Sequence, residues 1–186
     1  ERLRRYLPDT ALYQGVADLE QFLSKYGVVY MKPVGGSLGL GIIRVHRTSG
    51  GYVASFQPGE TLLIRRAPTI RGIARIVDRL TSRSTSIIQQ GLPLARWRGR
   101  VFDVRILMQR TTGGEWALTK MFSRIAPAGS FTANLSRGGE GCRIDLLLRR
   151  VYGRYHTVIQ RNLHAAGFEM AREIEEIVPA NLAPSI

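Results

Sequence analysis

Tyr30-Met31-Lys32-Pro33-Val34-Gly35-Gly36-Ser37-Leu38-Gly39-Leu40-Gly41-Ile42-Ile43-Arg44 decides the reading of this chain: a lysine closes one apolar run, and a loop with four glycines opens the next. Val28 to Met31 is β-branched and apolar enough for a buried strand, and Ile42 to Val45 forms a second. The loop between them is too rich in glycine for a helix. Such a loop lets backbone amides approach an anion closely, because glycine has no Cβ and tolerates positive φ. Lys32 adds a point charge for phosphate oxygens. The same residues also fit a tight hairpin with an ordinary surface lysine. Two better-known phosphate motifs are excluded. A P-loop needs Gly-Lys-Ser/Thr opening a helix, and a Rossmann fingerprint needs its glycines between a strand and a helix. Here Gly41 runs into Ile42-Ile43-Arg44 and a strand.

The chain has 186 residues, enough for one domain or two small lobes around a real core. No apolar run approaches the length that spans a bilayer, and Glu1-Arg2-Leu3-Arg4-Arg5 leads into no signal-type apolar core. These features predict a soluble, cytoplasmic protein without a membrane partner. The single cysteine, Cys142, has no internal disulfide partner, which also rules out a cysteine-based zinc cluster. The formal net charge is +13, from 27 basic and 14 acidic residues. Only Lys25, Lys32 and Lys120 are lysines, so Lys32 stands out. A basic balance favours polyanionic partners, meaning nucleic acid, nucleotide phosphates or an acidic polymer. Nucleic acid is disfavoured: the arginines are scattered, with no recognition helix and no aromatic RNP-type strand.

Outward from the loop, Val16, Leu19, Leu23 and Tyr26 recur at helical spacing before Gly27. Gly50-Gly51 turns into a strand from Tyr52 to Phe56, and Leu62-Leu63-Ile64 suggests another. Pro68 and Thr69 open a helix with Ile70, Ile73, Val77 and Leu80 on one face, and Ser86 to Gln90 returns as a strand. A lobe boundary falls near residue 91, dividing 1–90 from 91–186. Val101 to Arg110 and Glu115 to Arg124 form a hairpin through Thr111-Thr112-Gly113-Gly114. Alternation puts Asp103, Arg105, Leu107 and Gln109 on one face, opposite Phe102, Val104, Ile106 and Met108. Ile159, Leu163, Ala166, Met170, Ile174 and Ile177 mark one long helix ending near Pro179. The fold class is α+β. His46, His156 and His164 lack metal-ligand spacing and receive no role, and Trp97 and Trp116 read as packing residues.

Taken in chain order, Lys32 with its loop, Ile87-Ile88-Gln89-Gln90, Phe102-Asp103-Val104-Arg105, Arg124 and Asn134-Leu135-Ser136-Arg137-Gly138-Gly139 resemble the ATP-grasp superfamily. More narrowly, the run from Val29 to Gly41 resembles the YheC/YheD group of endospore coat-associated ATP-grasp proteins. The Asn134 to Gly139 segment is similar to RimK-type and glutathione synthetase ligases. The resemblance implies two α+β lobes with mainly antiparallel sheets gripping ATP between them. It also implies a reaction in which a carboxylate substrate attacks the γ-phosphate, an acylphosphate forms, and an amine or thiol displaces phosphate.

By the same resemblance Lys32 binds α- and β-phosphates, and Gly35, Gly36, Ser37, Gly39 and Gly41 form a lid. Gln89, Gln90, Gly91 and Leu92 make the adenine-side hinge. Arg105, Arg124 and Arg137 stabilise anionic oxygens, and Asn134 and Asp103 lie near metal or substrate. Plainer readings stand beside these: Asp103 with Arg105 as a charge pair on a strand, Arg137-Gly138-Gly139 as a simple turn, and Gln89-Gln90 as a strand end. The acidic magnesium ligands that such enzymes carry after the last helix have no counterpart before Ile186. The expectation is therefore a fragment of a larger protein, with its Mg2+ ligands elsewhere. An inactive ATP-grasp-like module of the spore coat, bound to spore-coat proteins, is the alternative function.

Overall fold

The computed structural model describes residues 2–59 and 61–178. It divides into two units, Tyr6–Pro93 and Leu94–Ile186, the second including Glu1–Arg5. In Tyr6–Pro93 the order is β1 (Thr10–Leu12), α1 (Val16–Tyr26), β2 (Val28–Pro33), β3 (Ile43–Thr48), β4 (Gly51–Phe56), β5 (Leu63–Ala67), α2 (Ile70–Thr81) and β6 (Ser86–Gln90). The strands form one sheet in the order β1-β6-β2-β3-β4-β5, with each neighbouring pair antiparallel.

Both helices pack on one face of this sheet. Leu19, Leu23, Ile73, Ala74 and Val77 meet Val29, Met31, Val45, Ala54 and Ile88 in a single core. Gly27 ends α1 at φ 69° with its N–H on the Leu23 carbonyl at 2.9 Å, a left-handed cap that glycine adopts without a Cβ penalty. The apolar lines stop short of the expected ones. Val16 and Leu80, in the first turn of α1 and the last turns of α2, are each 38% exposed because these turns carry them into solvent. Thr69 caps α2, its Oγ1 accepting the Gly72 N–H at 3.1 Å. Thr69→Ala is expected to lower unfolding free energy by about 1 kcal/mol, with Thr69→Ser recovering most of it, as read by urea denaturation.

In the second unit the order is β7 (Arg96–Trp97), β8 (Arg100–Arg110), β9 (Trp116–Ile125), β10 (Glu140–Arg143), α3 (Ile144–Tyr152) and α4 (His156–Ile177). A single 3-10 turn over Gly153–Tyr155 joins the helices. The sheet runs β10-β9-β8-β7, again antiparallel throughout. The β8–β9 hairpin is as expected, with one addition: the register shifts between Leu107 and Met108, so Thr119 of β9 has no partner in the ladder. Phe102, Ile125 and Leu147 form a core with Trp97, Cys142 and Val151 around it.

Strand β10 and helix α3 are additions to the sequence reading, and α4 starts at His156 rather than near Ile159. Its expected end near Pro179 lies outside the described residues. The buried positions of α4 are Gly167 and Ala171, small residues that let the helix approach β8 closely. A Cβ on Gly167 would stand 3.0 Å from Ile106 Cγ2 and 3.3 Å from Met108 Sδ. Ile177, expected on the apolar line, is 65% exposed, since contact depends on close approach at Gly167 rather than on bulk at the helix end. The far end of α4 is held by Glu175, which accepts from Trp116 Nε1 at 2.7 Å and pairs with Arg110. Trp116 thus packs and anchors. Among the described residues, no helix is long and apolar enough to cross a membrane.

Candidate functional site

Because α1 and α2 cover one face of the six-stranded sheet, the strand alternation leaves Val28, Tyr30 and Lys32 on the other. The register sets Tyr30 opposite both Gln89 and Arg44, Lys32 opposite Ile87, and Val28 opposite His46. Lys32 Nζ donates to Gln89 Oε1, and Gln89 Nε2 donates to Thr10 Oγ1 at 2.9 Å. Burial pushes the Lys32 pKa below that of an ordinary lysine. Arg44 Nη1 lies 3.0 Å from His46 Nδ1 on the same face. Burial and then the Arg44 charge push the imidazole pKa down, consistent with a neutral ring accepting from the guanidinium.

The segment from Val34 to Ile42 connects β2 to β3 as a hydrogen-bonded turn at each end. Val34 N–H donates to the Thr85 carbonyl at 2.9 Å, Gly36 N–H to Pro33 at 3.1 Å and Leu40 N–H to Ser37 at 3.0 Å. Leu38, Gly39 and Gly41 have φ of 56°, 76° and 72°. The left-handed Leu38 costs roughly 1–2 kcal/mol, a strain that the loop carries at its tip. Gly41 has a second constraint, since a Cβ there would lie 2.8 Å from Pro33 Cγ. Gly35, Gly36, Ser37 and Gly41 are exposed, as are the side chains of Val34, Leu38 and Leu40.

Along the sequence from Gln89, the candidates separate. Gln90 sits out of phase with Gln89, and its Oε1 accepts the Asp9 N–H at 3.2 Å while its own N–H donates to the Asp9 carbonyl at 2.8 Å. Its side chain therefore fastens β1 rather than joining Lys32. Gly91 N–H donates to the Val28 carbonyl at 2.9 Å, and a Cβ would come within 2.7 Å of that oxygen. Leu92 is exposed just beyond.

In the second unit α4 covers the face of Ile106 and Met108, leaving Asp103, Arg105 and Leu107 on the helix-free face with Arg124, Phe122 and Lys120 opposite them. Asp103 and Arg105 do share a face, but the ion pair runs across the hairpin. Arg124 donates through Nε to Asp103 Oδ1 at 2.8 Å and through Nη2 to Oδ2 at 2.7 Å. That bidentate contact raises the Arg124 pKa further. Arg105 and Lys120 are exposed, with Lys120 Nζ 5.2 Å from the centre of the Phe122 ring.

Asn134 and Arg137 lie on a loop whose Ala133 packs with Val101 and Ala126. The loop closes as one 3-10 turn: Arg137 and Gly139 N–H groups both donate to the Asn134 carbonyl, at 3.0 and 3.1 Å, and Gly138 has φ 81°. A Cβ on Gly139 would stand 2.5 Å from the Ala133 oxygen and 2.8 Å from that of Asn134. The two glycines thus have a backbone reason of their own. Asn134 and Arg137 are half-buried.

Sequence reasoning missed Arg44 and His46 on the Lys32 face. The signal was there: two strands paired across the loop place residues 44 and 46 beside 30 and 28. For magnesium, the described residues do not fit. Among them no three His, Cys, Asp or Glu side chains cluster, and both oxygens of Asp103 are taken by Arg124. No magnesium ligand is assigned.

Against known proteins, 139 residues are 29% identical to the endospore coat-associated protein YheD of Bacillus subtilis (strain 168), an alignment covering 74% of this chain and 31% of that protein. The chain thus spans under a third of that relative's length. The sequence model for YheC/D-like ATP-grasp proteins matches residues 1–183, taking in both units, the glycine loop and the Asn134 turn. The chain belongs to the YheC/D-like ATP-grasp family.

Proposed function

We propose that this chain is the nucleotide-binding core of an ATP-dependent ligase that joins a carboxylate to an amine or thiol through an acylphosphate. The observation that carries this reading is the half-buried ammonium of Lys32. Its described partner is a neutral amide, and it stands at the root of a strained glycine loop on a sheet face without helices. A desolvated cation in that position gains most from an anionic ligand.

In this reading Lys32 holds α- and β-phosphate oxygens, and Gly35, Gly36, Ser37, Gly39 and Gly41 bring backbone amides over them. Gln89, Gln90, Gly91 and Leu92 edge the adenine, mainly through backbone groups. Arg105 and Arg137 hold anionic oxygens of the transferring phosphoryl group and the carboxylate. The side-on pairing with Asp103 uses Nε and Nη2 of Arg124 and leaves its Nη1 for the same oxygens. Asn134 offers its side-chain amide beside them. A carboxylate oxygen attacks the γ-phosphorus and ADP departs; an amine or thiol then attacks the acyl carbon and phosphate leaves. Magnesium travels with the nucleotide in this proposal. The carboxylate substrate, spore-coat partners and a cytoplasmic or spore-coat location belong to the proposal as well.

A second reading, an inactive ATP-grasp-like binding module of the spore coat, is favoured by the Asp103–Arg124 pair, which occupies both oxygens of a carboxylate on the helix-free face. One assay separates the two. The chain is incubated with ATP, magnesium, hydroxylamine and a panel of amino-acid and dicarboxylate substrates. Carboxylate-dependent ADP release with matching hydroxamate is the expected result. Thermal stabilisation by ATP without ADP release across the panel would favour the binding module, and no stabilisation would sink both.

A further inference from the structure

Four of the arginines scattered through the sequence lie on the β7–β8 turn and around the end of α3 in the second unit. The β7–β8 turn has φ 50° at Arg98 and 76° at Gly99, the double left-handed geometry of a two-residue hairpin turn. Asparagine or glycine is the ordinary residue at the first of these positions, and an arginine there pays roughly 1–2 kcal/mol of backbone strain. Its guanidinium carbon lies 4.7 Å from the centre of the Trp97 ring, and that of Arg150 lies 5.7 Å from the same centre. Trp97 therefore ties the hairpin tip to the C-terminal turn of α3, where Arg149 and Arg150 are exposed. Arg154 follows one turn on, 5.0 Å from the Tyr155 ring. Among the described residues, none of these four guanidinium groups forms an ion pair. A helix C-terminus favours cations, which accounts for Arg149 and Arg150 but not for Arg98 or Arg154.

We propose that this surface docks an acidic segment of a partner polypeptide. Four guanidinium forks suit bidentate carboxylates. Leu146, 40% exposed on the same stripe of α3, and Tyr155, 56% exposed, supply apolar contacts between the charges. A nucleic acid is a poorer fit. The Trp97 ring is already engaged by two guanidinium groups and offers no stacking platform, and α3 spans only nine residues, about 14 Å, too short to follow a duplex backbone. None of these residues is among those assigned to nucleotide or carboxylate, so the proposal does not depend on the proposed ligase chemistry.

The test is fluorescence anisotropy of a labelled oligoglutamate and of a labelled single-stranded oligonucleotide of equal charge, each titrated with the full chain at two salt concentrations. Arg149→Gln/Arg150→Gln is compared with Arg71→Gln/Arg75→Gln, two exposed positions on α2 that change net charge equally. Oligoglutamate is expected to bind, more weakly at higher salt, and the α3 variant is expected to lose about tenfold in affinity or more while the α2 variant stays within about twofold. Melting curves show whether each variant is folded. Arg98→Gln provides a second variant outside any helix, with a smaller loss in the same direction. Absence of oligoglutamate binding, equal losses in both double variants, or tighter binding of the oligonucleotide lost through the α3 change would each overturn the proposal.

Discussion

Replacing Lys32 by alanine is expected to cut by half or more the rise in melting temperature that ATP gives the wild-type chain. A ligand that binds the folded state alone stabilises it by about 2.7 kcal/mol at a hundredfold excess over its dissociation constant. Loss of a charge-assisted phosphate contact of about 1.5–3 kcal/mol weakens binding roughly tenfold to a hundredfold, which leaves about 1.4 to about 0.4 kcal/mol of that stabilisation. The unliganded variant should melt no lower than wild type, since the alanine removes an ammonium whose pKa burial depresses. That combination distinguishes a binding residue from a structural one: a structural lysine would lower the unliganded melting temperature and leave the shift intact. The pH dependence follows from the same depression. Protonation is disfavoured in the unliganded fold, so Lys32 loses its charge at a lower pH than an exposed lysine. Bound phosphate favours the charged form, so apparent affinity falls as pH rises through that lowered pKa toward the ordinary lysine value. Lys32→Arg, charged throughout this window, should bind with little alkaline decline. An undiminished ATP shift in Lys32→Ala would refute the assignment.

The parts of the fold legible in the sequence are those where one periodicity dominates. The α1 and α2 helices, the β2–β3 pair and the β8–β9 hairpin each carry a clean apolar repeat bounded by glycine or threonine, so local and tertiary preferences agree. Helix α3 was hidden because its buried residues, Ile144, Leu147 and Leu148, occupy nine residues that also contain Arg149 and Arg150. Helix α4 was visible, but its contact line was not, because the sequence pattern weighs bulk and the structure uses Gly167 and Ala171. The candidate site divides in the same way. Lys32 and its glycines announce themselves by composition, whereas the partner of Asp103 depends on the register across a hairpin, which sets Arg124 opposite it. Arg44 and His46 needed the same step. The +13 charge was the most misleading feature: composition spreads it evenly, and only the packing of Trp97 brings Arg98 to Arg150.

Gly139→Ala should destabilise the chain by about 2–4 kcal/mol, while Gly141→Ala, two residues along the same segment, should change stability by less than about 0.5 kcal/mol. The two glycines differ in one respect that no propensity scale contains. At Gly139 the added Cβ would meet the carbonyl oxygens of Ala133 and Asn134 at 2.5 and 2.8 Å, and the carbonyl carbon of Ala133 at 3.1 Å. All three are backbone atoms, fixed by the turn that Gly139 itself closes through its N–H on Asn134. Relief requires opening that turn, with loss of two hydrogen bonds to the Asn134 carbonyl and of the packing of Ala133 against Val101 and Ala126. At Gly141 nothing lies within 4 Å of the added atom. The strand position even favours alanine slightly over glycine through the unfolded chain. Function should follow in the same pair. If Asn134 and Arg137 hold the substrate as proposed, Gly139→Ala loses hydroxamate formation at a temperature where melting curves show it still folded, because a displacement of about 1 Å costs on the order of a hundredfold in rate. Equal stability in the two variants would show that the turn opens without cost, and full activity in a destabilised Gly139→Ala would separate this loop from the chemistry.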